Sequence, residues 1–132
     1  MSNLRILIVD DERLIAAAVQ EMLKFLGYSV VDVAVSADEA LQKAASMRPD
    51  LVLMDIRLKG EMDGIEAAAA IRAEYGIPVV YLTAYADAAM RERAETTSPY
   101  GYIVKPFKVA DIRAAIEGAF HRLNMEQKVR SQ

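Results

Sequence analysis

The sequence predicts an α/β protein with a doubly wound, five-stranded parallel sheet flanked by five helices, and three observations carry that prediction. Short apolar runs alternate with longer amphipathic ones, giving five strand-then-helix units. The runs at 6–9, 51–54 and 79–82 are apolar throughout rather than alternating, as strands buried on both faces require. Parallel strands joined by helices need right-handed crossovers, which leaves only a few doubly wound arrangements.

The first strand, 5–9, is cut short by Asp10, Asp11 and Glu12. Residues 12–26 place Ile15, Val19, Met22 and Leu26 on one helical face, and Gly27 is placed to stop the helix. From Tyr28 to Val35 the chain is β-rich, with Val31, Val33 and Val35 on one side and Asp32 on the other, the pattern of a half-exposed edge strand. Ser36 can cap the second helix, Glu39 completes a capping box, and the helix is predicted to end near Met47, before Pro49. Leu51 to Met54 is the third strand. Asp63 can cap a helix that carries Ile65, Ala68, Ile71 and Tyr75 and ends near Gly76. Pro78 opens the fourth strand, Val79 to Leu82. Asp87 to Glu95 reads as a short helix with a thin core face. Tyr102-Ile103-Val104 is the fifth strand, and Val109, Ile112, Ile116, Phe120 and Leu123 mark a last helix that passes position 120.

A chain of 132 residues suits one domain, predicted over 1–123, with 124–132 a C-terminal helix extension or a truncated linker. Without cysteine there is neither a disulfide framework nor a thiolate metal site, and His121 alone excludes a multi-histidine zinc site. Lysines and arginines number 16 against 19 acids, a formal net charge of -3 with the signs mixed, so direct nucleic-acid binding is not the expected task. The opening segment is too brief and too acidic at its end for a signal peptide, and no window approaches a membrane span. A cytoplasmic protein without membrane contact is expected.

Polar residues follow the buried strands: Asp10 and Asp11 the first, Asp55 the third, Thr83 the fourth and Lys105 the fifth. In a parallel sheet these positions share the carboxyl edge, where ligands of open α/β folds collect. Three carboxylates gathered there repel one another unless a positive charge lies between them. Lys105 supplies one, and a hard divalent ion bound by oxygens, such as Mg²⁺, answers the rest. Such a set can carry metal-assisted phosphoryl transfer, with Asp55 as nucleophile and Lys105 and Thr83 holding phosphoryl oxygens. Taken singly, Asp55 is as often a turn residue, Asp11 a helix cap, Thr83 a plain strand residue and Lys105 a solvated lysine. Their coincidence at one edge is what argues for a site.

Val9-Asp10-Asp11-Glu12, Met54-Asp55, Leu82-Thr83-Ala84 and Lys105-Pro106-Phe107 are similar, in order and separation, to the signature blocks of response-regulator receiver domains. The resemblance runs from about Leu4 to Leu123. The chain resembles the chemotaxis-type single-domain receivers and receivers associated with hybrid or PAS-containing sensor kinases. It implies a flavodoxin-like sheet of order 2-1-3-4-5. It also implies that Asp55 is phosphorylated by a sensor histidine kinase or phosphotransfer protein, with Mg²⁺ as cofactor and Mn²⁺ able to replace it in vitro. Asp11 matches the principal metal ligand, Asp10 the acid acting through metal-bound water, and Arg57 the residue whose backbone carbonyl completes the shell. Thr83 matches the switch hydroxyl, Tyr102 the aromatic switch and Lys105 the pocket lysine, with a cis bond to Pro106. Arg57, Ala84 and Tyr85 would form the pocket rim. Such a domain is no conventional enzyme but catalyses its own phosphorylation and dephosphorylation. The output is implied to be a changed surface over the fourth helix, fifth strand and fifth helix, read by another protein or a tethered domain.

Two departures stand out. The stretch Ile56 to Gly64 is one residue longer than in most relatives, which carry a proline there, so Gly60 suggests a looser or bulged rim. Ser98-Pro99 replaces a more usual Gly-Ala pair and restricts the turn before the fifth strand. A small Mg²⁺-dependent aspartyl phosphatase would want a second acid where Arg57 stands, and a cap domain for which there is no length. A flavodoxin-like cofactor module would bind phosphate where three acids repel it, and a dinucleotide-binding domain would need a GxGxxG turn. An unphosphorylated docking receiver is the remaining alternative. Apolar side chains on the C-terminal tail are compatible with a weak homodimer or with covering the domain's own core.

Overall fold

The elements follow in the order β1 (Arg5–Val9), α1 (Arg13–Phe25), β2 (Ser29–Ala34), α2 (Ala37–Met47), β3 (Leu51–Asp55), α3 (Gly64–Tyr75), β4 (Val79–Thr83), α4 (Ala88–Glu95), β5 (Gly101–Val104) and α5 (Val109–Arg130). The structure is a computed structural model that describes residues 4–84 and 88–130, the last two by backbone alone. The strands are parallel and ordered β2-β1-β3-β4-β5. Every residue of β3 and β4 is buried, as their unbroken apolar runs demand.

The sheet divides two apolar layers. On one face Leu7, Val9, Val52, Met54 and Tyr81 meet α2, α3 and Ala94 of α4. On the other Ile6, Ile8, Leu53 and Leu82 meet α1 and α5. The buried side of α2 is Ala37, Ala40 and Ala44, small side chains that let the helix lie close to the strands.

Local chemistry sets the helix ends. Asp63 Oδ1 accepts from Glu66 N at 2.9 Å while Glu66 Oε1 accepts from Asp63 N at 3.0 Å, a complete capping box. Gly76 ends α3 in the left-handed region, at φ 67. At α2 the box is only half made. Ser36 Oγ accepts from Glu39 N, but the Glu39 carboxylate accepts from Val35 N, one residue before the cap.

Three expectations about packing need correction. In β2 the register slips, with Ile6 opposite Val30 but Leu7 opposite Asp32. This irregularity uses up Val31 and inverts the alternation, so Val31 packs with the α2–α3 layer and Val33 with the α1–α5 layer. In α1 the buried line is Ala16, Val19 and Leu23, while Ile15, Met22 and Leu26 flank it. In α5 the line is Ile112, Ile116 and Ala119, so Phe120 falls beside the seam and is 38% exposed. Past Leu123 the helix is tied back to the turn before β5. Tyr100 donates its hydroxyl to Glu126, and Arg122 Nη1 donates to Pro99 O at 3.0 Å.

On the edge strand β2, side chains satisfy the outward main-chain groups of Val33. Ala34 O accepts from Asp10 N, so the neighbouring Val33 backbone faces away from β1. Val33 N donates to Asp32 Oδ1 at 2.8 Å and Val33 O accepts from Lys43 Nζ at 2.9 Å. Lys43 also pairs with Asp32 at 3.1 Å.

Where α3 begins, its backbone presses on the end of β3. Gly64 N donates to Ile56 O at 3.1 Å, and a Cβ on Gly64 would lie 1.9 Å from Asp55 O. Gly64→Ala is therefore expected to cost more than about 2 kcal/mol in urea unfolding. Gly118→Ala, on α5 with open space around it, should instead stabilise by about 0.5–1 kcal/mol.

Candidate functional site

Parallel strands bring the polar residues to one edge. Asp10 follows β1, Asp55 ends β3, Thr83 ends β4 and Lys105 follows β5. Asp10, Asp55 and Thr83 are buried, and Asp11 and Lys105 half-buried. Asp10, Asp11 and Asp55 each offer a carboxylate oxygen, all within 4.8 Å of one another. Lys105 Nζ stands 3.5 Å from Asp10, 3.7 Å from Glu12 and 3.9 Å from Asp55, near enough to pair electrostatically with all three.

Each carboxylate is aimed by a backbone amide. Glu12 N donates to Asp10 Oδ1 at 2.9 Å, Arg57 N to Asp55 Oδ1 at 3.1 Å, and Lys59 N to Asp11 Oδ2 at 3.1 Å. Asp10 Oδ2 remains buried without a hydrogen bond. A buried anionic oxygen so placed is costly unless a cation neighbours it. Burial, then the charge of Asp10, pushes the Asp55 carboxyl up to about 7, against the pull of Lys105 and the Arg57 amide. An anionic oxygen that has the Lys105 ammonium beside it but no hydrogen bond, within an all-oxygen donor set, fits a hard divalent cation.

The remaining expected residues fall around this cluster. Thr83 accepts Lys105 N on its carbonyl at 2.7 Å, and the Lys105–Pro106 peptide is cis. Arg57 and Ala84 are exposed at the rim, while Tyr85 lies outside the described residues. Gly60 has φ 114, in keeping with a bulged rim, and Ser98 before Pro99 is left-handed at φ 53. Tyr102 is half-buried and donates its hydroxyl to Glu95 of α4, with Arg91 stacked 4.8 Å from its ring centre. Burial, then the bond to Glu95, pushes the Tyr102 hydroxyl up to about 12.

Sequence reading missed three contributors. Glu12 shares Lys105 with the aspartates. Tyr81 is wholly buried 5.9 Å from the Tyr102 ring and meets Thr97 Oγ1 at 2.6 Å. A tyrosine in a both-faces-buried strand needs a partner for its hydroxyl, and that was the available signal. Arg93 reaches from α4 to Asp63 Oδ2 at 3.0 Å, a pairing that no local pattern announces.

Residues 6–117 match the model of the response regulator receiver domain. The chain belongs to the response-regulator receiver family. Transcriptional regulatory protein PdtaR of Mycobacterium tuberculosis is 41% identical over 118 residues, 89% of this chain and 57% of PdtaR. The phyllosphere-induced regulator PhyR of Methylorubrum extorquens is 36% identical over 86% of this chain and 42% of its own length. The chain thus spans about half the length of the curated relatives it matches. Among solved structures, the signal receiver domain of a modulated diguanylate cyclase from Desulfovibrio desulfuricans G20 superposes with a TM-score of 0.88 at 38% identity, covering 92% of this chain and 97% of that one. A CheY-like receiver from Methanospirillum hungatei JF-1 gives 0.82 at 30% identity, covering 96% and 98%. Receiver domains are the phosphoacceptor modules of two-component signalling and bind Mg²⁺ at an acidic pocket. Among the described residues no helix is long and apolar enough to cross a membrane.

The raised Asp55 carboxyl has a consequence for stability. Between the ordinary value of 3.8 and about 7, an unfolded chain ionises at this position while the folded receiver keeps its proton, so folding weakens as pH rises. In EDTA, Asp55→Asn should be more stable than the unaltered receiver at pH 8, and the difference should vanish below about pH 4, by urea unfolding across pH.

Proposed function

We propose that Asp55 accepts a phosphoryl group from the phosphohistidine of a sensor kinase or phosphotransfer protein, in a Mg²⁺-dependent reaction in the cytoplasm. The observation that carries this reading is the meeting of three carboxylates within 4.8 Å beside one lysine, in a chain of the receiver family. Asp10, Asp11, Asp55 and the Arg57 carbonyl would hold the ion, Asp10 through bound water. When bound, Mg²⁺ neutralises charge on the phosphoryl oxygens and lowers the repulsion met by an anionic nucleophile.

A carboxylate oxygen of Asp55 attacks phosphorus in line. The new O–P bond forms as the P–N bond to the donor imidazole breaks, and the imidazole leaves with the electron pair. Lys105 moves its pairing from carboxylates to a phosphoryl oxygen, and the Thr83 hydroxyl donates to another. Arg57 and Ala84, exposed at the rim, would govern how water reaches the acyl phosphate.

Movement of Thr83 toward the phosphoryl group frees room for Tyr102, which leaves Glu95 and turns inward. The surface of α4, β5 and α5 changes with it, and an output protein or tethered output domain reads the change. Its few buried side chains suit α4 to an element with two positions.

Incubation with acetyl phosphate and Mg²⁺ is expected to add one phosphoryl group to the intact protein, followed by mass spectrometry. Asp55→Asn should abolish the adduct, and Asp11→Ala should slow its formation at least about tenfold. An adduct undiminished in Asp55→Asn would refute the assignment.

A further inference from the structure

The stretch from Leu58 to Met62 is held at both ends, by buried Leu58 and by Met62 packed against the α2–α3 layer. Between these anchors Lys59, Gly60 and Glu61 arch outward into solvent, over an open cleft of about 360 Å³ beside the start of α2. Gly60, at φ 114, permits the arch, since a side chain would be strained there. The inner side of the arch is tied to the pocket across 48 positions of sequence by the bond from Lys59 N to Asp11 Oδ2.

We propose that the Lys59 amide is a positioning group for Asp11, and that through it the β3–α3 loop sets the pocket's affinity for a divalent cation. The proposal rests on the reading of the three aspartates as a Mg²⁺ site. Asp11 is the least buried of the three and sits in the loop after β1. Left to itself, such a side chain must be ordered when a cation binds, and that entropy opposes binding. A fixed N–H on Oδ2 removes part of this cost and leaves the other carboxylate oxygen to the cation. Hydrogen-bond partners of metal ligands commonly change affinity about 10–100-fold. An amide on an exposed arch belongs at the lower end.

The test is calorimetric titration of the full unphosphorylated chain with MgCl₂ alone, comparing Lys59→Pro with Lys59→Ala. Both remove the lysine charge, but only proline removes the N–H. The proline variant is expected to bind Mg²⁺ about tenfold more weakly than the alanine variant, with thermal midpoints that agree. Equal or tighter binding by the proline variant overturns the proposal.

Should Lys59→Pro fail to fold, linkage supplies a second measurement on the unaltered chain. If the amide favours the cation, the cation must favour the amide's bond to Asp11. Mg²⁺ should then slow hydrogen exchange at the Lys59 amide, and unchanged or faster exchange overturns the proposal. Mg²⁺ uptake that is lost in Asp11→Ala, with equal affinities in the proline and alanine variants, removes the positioning role alone. No uptake by the unaltered chain removes the metal-site reading and this inference with it.

Discussion

Mutual repulsion among carboxylates at the end of a buried sheet is the constraint on which the pocket depends. The parallel arrangement gives Asp10, Asp11 and Asp55 no room to spread, because each is delivered by a strand or by the turn just after one. The molecule answers with one ammonium set among them and one backbone amide turned on each carboxylate. These responses are incomplete, as the Asp10 oxygen left without a hydrogen bond and the raised Asp55 carboxyl both record. Residual negative potential is what a cation-assisted acceptor of an anionic group needs, since the same field that disfavours the resting carboxylates would favour a divalent cation among them.

Polar contacts tie α4 to its neighbours beside a thin apolar seam. Ala94 is the one buried residue of α4 among those described, with Met90 packed at the margin of the layer, and hydrogen bonds and an ion pair add to the hold. Tyr102 meets Glu95, Tyr81 meets Thr97, and Arg93 crosses to the aspartate that caps α3. Contacts of this kind exchange partners without opening a cavity, whereas apolar packing would have to be broken. Asp63 therefore serves two elements, starting α3 with one carboxylate oxygen and bracing α4 with the other.

How much of this could be read from residues alone follows from the range of the forces involved. The strands and the convergence of Asp10, Asp11, Asp55, Thr83 and Lys105 were legible, because unbroken apolar runs specify two-sided burial and parallel topology aligns the strand ends. Both ends of α3 were legible too, since capping is local chemistry. The slip opposite Val31 was not, because one extra residue between two strands has no signature in either. The buried line of α1 and the flanking place of Phe120 depend on which side of each helix meets the sheet, and apolar spacing fixes that only to within a residue. The amide of Lys59 was invisible for a different reason: a main-chain donor carries no side-chain identity.

At the outer margin of the sheet, Val33 has both of its main-chain groups already engaged, one by its neighbour's carboxylate and one by a lysine from the helix above. A bare margin invites another chain to extend the ladder, and lysine at such a position is a recurrent guard against it. Here the guard is doubly secured, since the ion pair with Asp32 keeps the ammonium over the strand. Addition of a further strand to β2 is thereby disfavoured at Val33.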